Sequence, residues 1–301
     1  MITATGAVNL RDEQGYIPVD GHRVWYRRVG SGGTPLLLLH GGPGAGHDYL
    51  EPLEGLARER EVVFFDQLGC GRSDRPDDRS LWRIERFVRE IDTVRAALGL
   101  ERIHLLGQSW GGWLGIEYLL SQPRGIVSAT LASTSASIPQ FVAEANRLKA
   151  QLPPEMVAVM QRCEAAGDWR NPQYEAAVME FYRRHLCRLD PWPDALLRSV
   201  RNLDANAVYE TMNGPNEFIV IGNLREWDRI ARLAEIRVPT LITVGRFDEI
   251  PPVCADTMCR GIAGSRVVVF EQSGHTAHLE ETERYLQVVG AFLRDVERSI
   301  S

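Results

Sequence analysis

Arg102-Ile-His-Leu-Leu-Gly-Gln-Ser-Trp-Gly-Gly-Trp-Leu-Gly-Ile-Glu-Tyr-Leu-Leu120 is the stretch that decides the fold. Its first part, Ile103 to Leu106, is a short, mostly apolar run bounded by Gly107, which reads as a buried strand. Its second part, Trp110 to Leu120, has apolar residues at helical spacing and ends before Pro123, so it reads as a helix. Between them Gly107-Gln108-Ser109-Trp110-Gly111 forms G-x-S-x-G on a strand-to-helix turn, the context that a nucleophile elbow requires. A sharp turn there holds the Ser109 hydroxyl clear of the sheet at the positive end of the helix dipole, and the flanking glycines let neighbouring chain pass without a Cβ clash.

Outward from this stretch, apolar strands and helices alternate. Tyr16 to Val29 reads as a hairpin turning at Asp20-Gly21. Pro35 to Leu39 and Val62 to Phe65 are fully apolar short runs, the mark of strands covered on both faces. A helix is expected over Leu81 to Leu98 and a strand over Val127 to Ala132. The rhythm stops near Ser135. To about Trp227 the pattern is helical, over Ile138 to Gln151, Pro154 to Ala166, Gln173 to Leu189 and Pro193 to Val200. Strands resume at Thr240 to Val244 and Arg266 to Phe270, followed by a last helix from about Thr276 to Glu297. The reading is an α/β core with a mainly parallel sheet and helices on both faces, residues 1–134 and 228–301, with a helical cap inserted at 135–227.

The 301 residues, 44% hydrophobic and 25% charged, carry a net charge of −6, which gives no electrostatic case for nucleic acid or an anionic membrane. Five scattered cysteines without a C-x-x-C pair argue against a disulfide framework or a structural zinc site. No apolar run reaches membrane-spanning length and the start of the chain lacks a signal-peptide pattern, so a cytoplasmic protein is expected.

A serine hydroxyl is a poor nucleophile unless a base removes its proton and a carboxylate orients that base. In a parallel sheet the partners come from loops at the carboxyl ends of later strands, in the order Ser, acid, His. Gly245-Arg-Phe-Asp-Glu249 and Glu271-Gln-Ser-Gly-His275 stand at those places. Ser109 is therefore assigned as nucleophile, His275 as general base and then acid, and Asp248 as the orienting carboxylate. Asp256 and His278 are the rivals, read as a solvated charge and a packed or capping residue. His22, His47, His104 and His185 are read as structural, and His40 as scaffolding for the glycines after it. Those glycines, in His40-Gly-Gly-Pro-Gly44, suit an oxyanion hole, to which Gly42, or else Gly41, and Trp110 would each lend a backbone N–H. A phosphate cradle is disfavoured because no G-x-x-x-x-G-K-[ST] occurs.

With these residues placed, the chain resembles the α/β-hydrolase superfamily, and within it the proline iminopeptidases. The resemblance rests on His-Gly-Gly-Pro-Gly at 40–44, Asp-Gln-Leu-Gly-Cys-Gly-Arg-Ser at 66–73 and Gly-Gln-Ser-Trp-Gly-Gly at 107–112. It extends to Gly-Pro-Asn-Glu-Phe at 214–218, Gly-Arg-Phe-Asp-Glu at 245–249 and Gly-His at 274–275. It implies a serine aminopeptidase that releases proline or another small apolar residue from short peptides with a free N-terminus, without metal or organic cofactor. It also implies that Glu217 and Glu249 bind the substrate ammonium, since a buried cation needs carboxylate partners. An amidase or esterase for amino-acid amides, esters or other small acyl compounds is the alternative on the same scaffold. Phe141, Tyr209 and Phe218 are candidates either for the acyl pocket or for core packing, and Cys70 is read as a small buried hydrophobe.

Overall fold

The computed structural model describes residues 11–204 and 206–300, so the first ten residues of the expected core, Ala205 of the expected cap and Ser301 lie outside the described residues. The first two strands, β1 (Asp12–Val19) and β2 (His22–Val29), form the expected hairpin. At its turn Asp20 and Gly21 have φ of 50° and 80°, the paired left-handed geometry of a two-residue hairpin loop. The remaining strands are β3 (Leu36–Leu39), β4 (Val62–Phe65), β5 (Ile103–Gln108), β6 (Ile126–Ala132), β7 (Thr240–Gly245) and β8 (Arg266–Phe270). They make one eight-stranded sheet in the order β1-β2-β4-β3-β5-β6-β7-β8. The pairs β1·β2 and β2·β4 are antiparallel and all others parallel.

The apolar strands show why both faces must be covered. Successive side chains of a strand point to opposite faces, and in β3 and β4 the two sets enter different cores. Leu37, Leu39, Val63 and Phe65 enter the core shared with α1 (Ile84–Leu98) and α2 (Trp110–Leu120), which continues along the sheet to α8 (Pro252–Gly261). Leu36, Leu38, Val62 and Phe64 pack instead with a 3-10 segment, Asp48–Arg58, and with α10 (Thr282–Ile300). Each fully buried leucine of β3 contributes roughly 2 kcal/mol of transfer free energy.

Between β6 and β7 run α3 (Ile138–Lys149), α4 (Pro154–Ala166), α5 (Pro172–His185), α6 (Asp194–Leu203) and α7 (Ala207–Met212). Among the described residues of this stretch the only β pairing is two isolated bridges, Ser137 with Asp228 and Asn216 with Ile219. Helix α6 and the start of α7 grip the chain after β3: Arg198 of α6 pairs with Asp48 and Glu51 of the 3-10 segment, Asn202 of α6 donates to the Ala45 carbonyl, and Asn206, which caps α7, donates to that of Gly44.

Several helices differ from their sequence-based bounds. The helix expected from Leu81 begins at Ile84, after a short 3-10 turn over Arg79–Leu81. The last helix is broken into α9 (Ala277–Glu280) and α10, because Glu281 leaves the helical path, where its carboxylate accepts from the Gln272 N–H and the Ser273 hydroxyl. The helix expected to run to Leu189 stops at His185, whose backbone carbonyl is taken by the Glu249 and His275 N–H groups. Among the described residues no helix is long and apolar enough to cross a membrane.

Candidate active site

The parallel strands deliver their carboxyl-end loops to one edge of the sheet. Ser109 follows β5 with φ 58° and ψ −123°, a conformation that costs a non-glycine residue of order 1–3 kcal/mol. Its surroundings hold it there: the Ser109 N–H donates to the Ala132 carbonyl at 2.9 Å, and its own carbonyl accepts from Gly112 N–H at 2.8 Å and from Thr134 Oγ1 at 2.9 Å. The flanking glycines are required by close approach. A Cβ on Gly107 would lie 2.1 Å from the Gly111 carbonyl oxygen, and one on Gly111 would lie 2.0 Å from that of Leu39. Gly111→Ala is therefore expected to cost about 3 kcal/mol or more, read from the denaturant midpoint, because the atom it meets is strand backbone. Gly115→Ala in the same helix meets nothing closer than 3.8 Å and is expected to leave the midpoint unchanged or raise it.

Asp248 follows β7 and His275 follows β8, and both are buried. His275 Nδ1–H donates to Asp248 Oδ1 at 2.7 Å, and the same oxygen accepts from the Ile250 N–H at 2.8 Å. The carboxylate so fixed leaves the imidazole Nε2 as the basic nitrogen. The rivals stand elsewhere. Asp256 is exposed on α8, and His278 is buried with its Nε2–H on the Tyr49 carbonyl at 3.0 Å, where burial lowers its pKa to about 3.

Of the other histidines, His40, His47, His104 and His185 have ring hydrogen bonds. His40 Nε2 accepts from the Gln67 N–H, and its Nδ1–H donates to the Gly41 carbonyl. His47 bonds Asp66 and His104 bonds Ser128. His22 lies within β2. His185 does more than pack: its ring bonds the Phe247 carbonyl at 2.7 Å, and its own carbonyl accepts from both Glu249 and His275 N–H, so the end of α5 ties the acid and base loops together. Nothing in its sequence position signalled that clamp.

Trp110 is the first residue of α2, so its N–H has no carbonyl within the helix. Its indole is buried and donates to Gln67 Oε1 at 2.8 Å. In the glycine loop the Gly41 N–H is already given to the Tyr49 hydroxyl at 2.7 Å, which favours Gly42 as the second oxyanion donor. Gly42 has φ 111°, and a Cβ there would lie 2.5 Å from the Gly44 nitrogen.

Gly42, Ser109, His275, Tyr209, Glu217 and Glu249 all line one cavity that opens to solvent. Phe141 and Phe218 do not line it and pack in the core. Glu217 sits in a loop fixed by Asn216, whose side-chain oxygen accepts from Phe218 and Ile219 N–H and whose amide donates to Tyr174. Its Oε1 accepts a hydrogen bond from the Tyr209 hydroxyl, a contact that the sequence reading missed. Glu249 is buried with Oε1 3.7 Å from His275 Nε2 and Oε2 without a hydrogen-bond partner among the described residues.

Burial pushes both carboxyls up, and for Glu249 the neighbouring Glu217 and Asp248 push in the same direction while His275 pulls down. On His275 burial opposes the charge, but Asp248, Glu249 and Glu217 outweigh it and hold the imidazole above its ordinary range. Two buried carboxyls on the wall of one cavity have the chemistry to bind an ammonium ion.

His40, Asp66 and Cys70 bring three metal-ligating atoms close together, but their polar atoms are already engaged. Asp66 holds His47 and the Arg72 N–H, and the Cys70 thiol, which burial pushes up, donates to the Gln67 carbonyl at 3.0 Å. All five cysteines are free.

The chain matches the description of the alpha/beta hydrolase fold over residues 34–282. It is 41% identical to a proline iminopeptidase of Saccharolobus solfataricus, over 96% of this chain and 94% of that one. It is 39% identical to a proline iminopeptidase of Heyndrickxia coagulans, over 94% and 99%. The crystal structure of a proline iminopeptidase from Mycobacterium smegmatis superposes with a TM-score of 0.90 at 39% identity, covering 96% of this chain and all of that one.

Proposed function

The chain belongs to the proline iminopeptidase family of alpha/beta hydrolases, and from that premise we propose that Ser109, His275 and Asp248 carry its acyl transfer. The protein is a serine aminopeptidase that releases N-terminal proline. In the proposed sequence His275 Nε2 takes the Ser109 proton as Oγ attacks the scissile carbonyl, and the oxyanion forms against the N–H groups of Gly42 and Trp110. The imidazolium then protonates the leaving amine as the C–N bond breaks. Water, deprotonated by the same imidazole, hydrolyses the acyl-enzyme and regenerates Ser109.

Glu217 and Glu249 are proposed to bind the free N-terminal ammonium of a short peptide, with proline or another small apolar residue on the acyl side. The observation that carries this reading is the pair of carboxyls sharing the cavity with Ser109 and His275, one of them with a buried oxygen that has no hydrogen-bond partner among the described residues. An amidase or esterase indifferent to the amine would keep two buried carboxyls at a desolvation cost and without use. Residues 135–227 are proposed as a cap domain, which supplies Glu217 and Tyr209, on a core of 1–134 and 228–301. A cytoplasmic location is proposed on the strength of the free thiols.

Turnover of prolyl arylamide against its N-acetylated form tests the amine reading. The free amine is expected to react at least about 10²-fold faster in kcat/KM, the value of one buried ion-pair partner or more. Equal rates would overturn it.

A further inference from the structure

Two cavity-lining residues with no part in the proposed chemistry, Tyr49 and Gln108, join the three loops that perform it. Tyr49 is the second residue of the 3-10 segment that follows the glycine loop, and both its backbone and its ring are held. Its N–H donates to Ser199 Oγ at 3.1 Å, its carbonyl accepts from His278 Nε2 at 3.0 Å, and its ring meets the His278 ring edge-on at 5.4 Å. The phenol therefore has one place to be. Its oxygen accepts the Gly41 N–H at 2.7 Å and donates to Gln108 Oε1. Gln108, the last residue of β5 and the neighbour of Ser109, uses its amide nitrogen to donate to the His275 carbonyl at 3.1 Å.

We propose that Tyr49 and Gln108 are positioning residues that lock the Gly41-Gly42 loop to the Ser109 turn and the His275 loop, keeping oxyanion donor, nucleophile and base in register. The inference rests on the assignment of Ser109, His275 and Gly42 made above. The loops leave β3, β5 and β8, so a single phenol and a single carboxamide span parts of the chain up to 167 residues apart. Gly41 must be bare for the contact to form, since a Cβ there would lie 2.8 Å from the Tyr49 hydroxyl and 3.0 Å from Gln108 Oε1. Both links are neutral. Burial pushes the Tyr49 phenol up, so it keeps its proton, and an amide does not titrate. The relay therefore acts equally across the working pH range.

Removing it displaces the oxyanion donor from the developing charge, and a misplacement on the order of 1 Å costs about 10²-fold. Tyr49→Phe is expected to lower kcat for prolyl arylamide about 10- to 100-fold, with KM within about twofold because Glu217 and Glu249 are untouched. Its pH profile should keep the wild-type limbs at a lower plateau. Gln108→Met, of similar length without polar atoms, should give the same kcat-only loss, and it carries the test if Tyr49→Phe does not fold. The double variant should lose little more than the worse single, as two links of one relay do.

The rate of phosphonylation by a fluorophosphonate probe at Ser109, which also forms charge in the oxyanion hole, should fall with kcat. Wild-type labelling at Ser109 with an unchanged rate in Tyr49→Phe would overturn the positioning role alone. So would a rise in KM equal to the fall in kcat, or losses that multiply in the double variant. Failure of the wild-type protein to label at Ser109 would overturn the nucleophile assignment, and the relay with it.

Discussion

Ser109→Ala is expected to lower kcat by about 10⁶-fold while leaving the protein folded and able to bind a prolyl amide. The size follows from the way the triad acts as a unit. Without Oγ no acyl-enzyme forms, and the base held between Asp248 and the cavity has no alcohol to deprotonate. What survives is the oxyanion hole acting on direct water attack, which supplies a residual about 10³- to 10⁴-fold over the uncatalysed reaction. Binding should persist, because the proposed ammonium site is made by Glu217 and Glu249 and not by the nucleophile. Alanine keeps the φ of 58° that the turn demands, so the strain and the denaturant midpoint should change little. Calorimetric titration with prolinamide, together with the turnover rate, separates the two effects. Retention of more than about a hundredth of the wild-type kcat would remove Ser109 from the mechanism.

How much of this was legible before any coordinates depends on whether the cause was local. The all-apolar runs of β3 and β4 announce strands buried on both faces, because they are too short for a core helix and a strand sends successive side chains to both faces. The elbow is legible for a similar reason: strand, G-x-S-x-G and helix lie within 19 residues, and the close approaches that demand Gly107 and Gly111 are made by backbone a few residues away or on the adjacent strand. Asp248 and His275 stand directly after strands, and chain order alone makes them candidates.

Glu217 was reachable only through resemblance. It lies in an irregular loop whose shape comes from Asn216 and Tyr174, 42 residues apart in sequence. The Tyr49–Gln108 contact spans 59 residues, and the apolar spacing of its 3-10 segment shows that Tyr49 is covered without showing which side chain its hydroxyl meets. The break at Glu281 is likewise tertiary in origin, since the carboxylate leaves its helix to satisfy the loop at 272–273. Periodicity reports which face of an element is covered; it says nothing about which side chain will be spent on a distant loop.

Glu249→Gln is the variant that distinguishes an ammonium receptor from a merely acidic cavity, and it is expected to weaken turnover of free-amine substrates while moving the acid limb to lower pH. In the free enzyme three carboxyls face His275: Asp248 on Nδ1, Glu249 at 3.7 Å from Nε2, and Glu217 across the cavity. Together they overcome the burial that opposes the charge and hold a proton on the imidazole above its ordinary range. A general base works only when neutral, so the acid limb of kcat/KM should lie above the usual histidine value. An ammonium seated between Glu217 and Glu249 cancels the field that retains the proton. The acid limb of kcat, which reports the loaded enzyme, should therefore lie lower than that of kcat/KM.

Glutamine at 249 removes one of the carboxylates and cannot replace its charge. The His275 pKa falls, and the acid limb of kcat/KM moves to lower pH. On free-amine substrates the same change deprives a buried cation of one partner, a loss of about 3–5 kcal/mol, or about 10²- to 10⁴-fold in kcat/KM. An N-acetylated prolyl arylamide, which carries no ammonium, should lose nothing, and below neutrality it should gain from the freed base. Parallel pH profiles of the two substrates on wild-type and Glu249→Gln enzyme read all three effects at once. An unmoved acid limb would mean that Glu249 does not govern the proton on His275, and equal losses on blocked and unblocked substrates would mean that it does not read the amine.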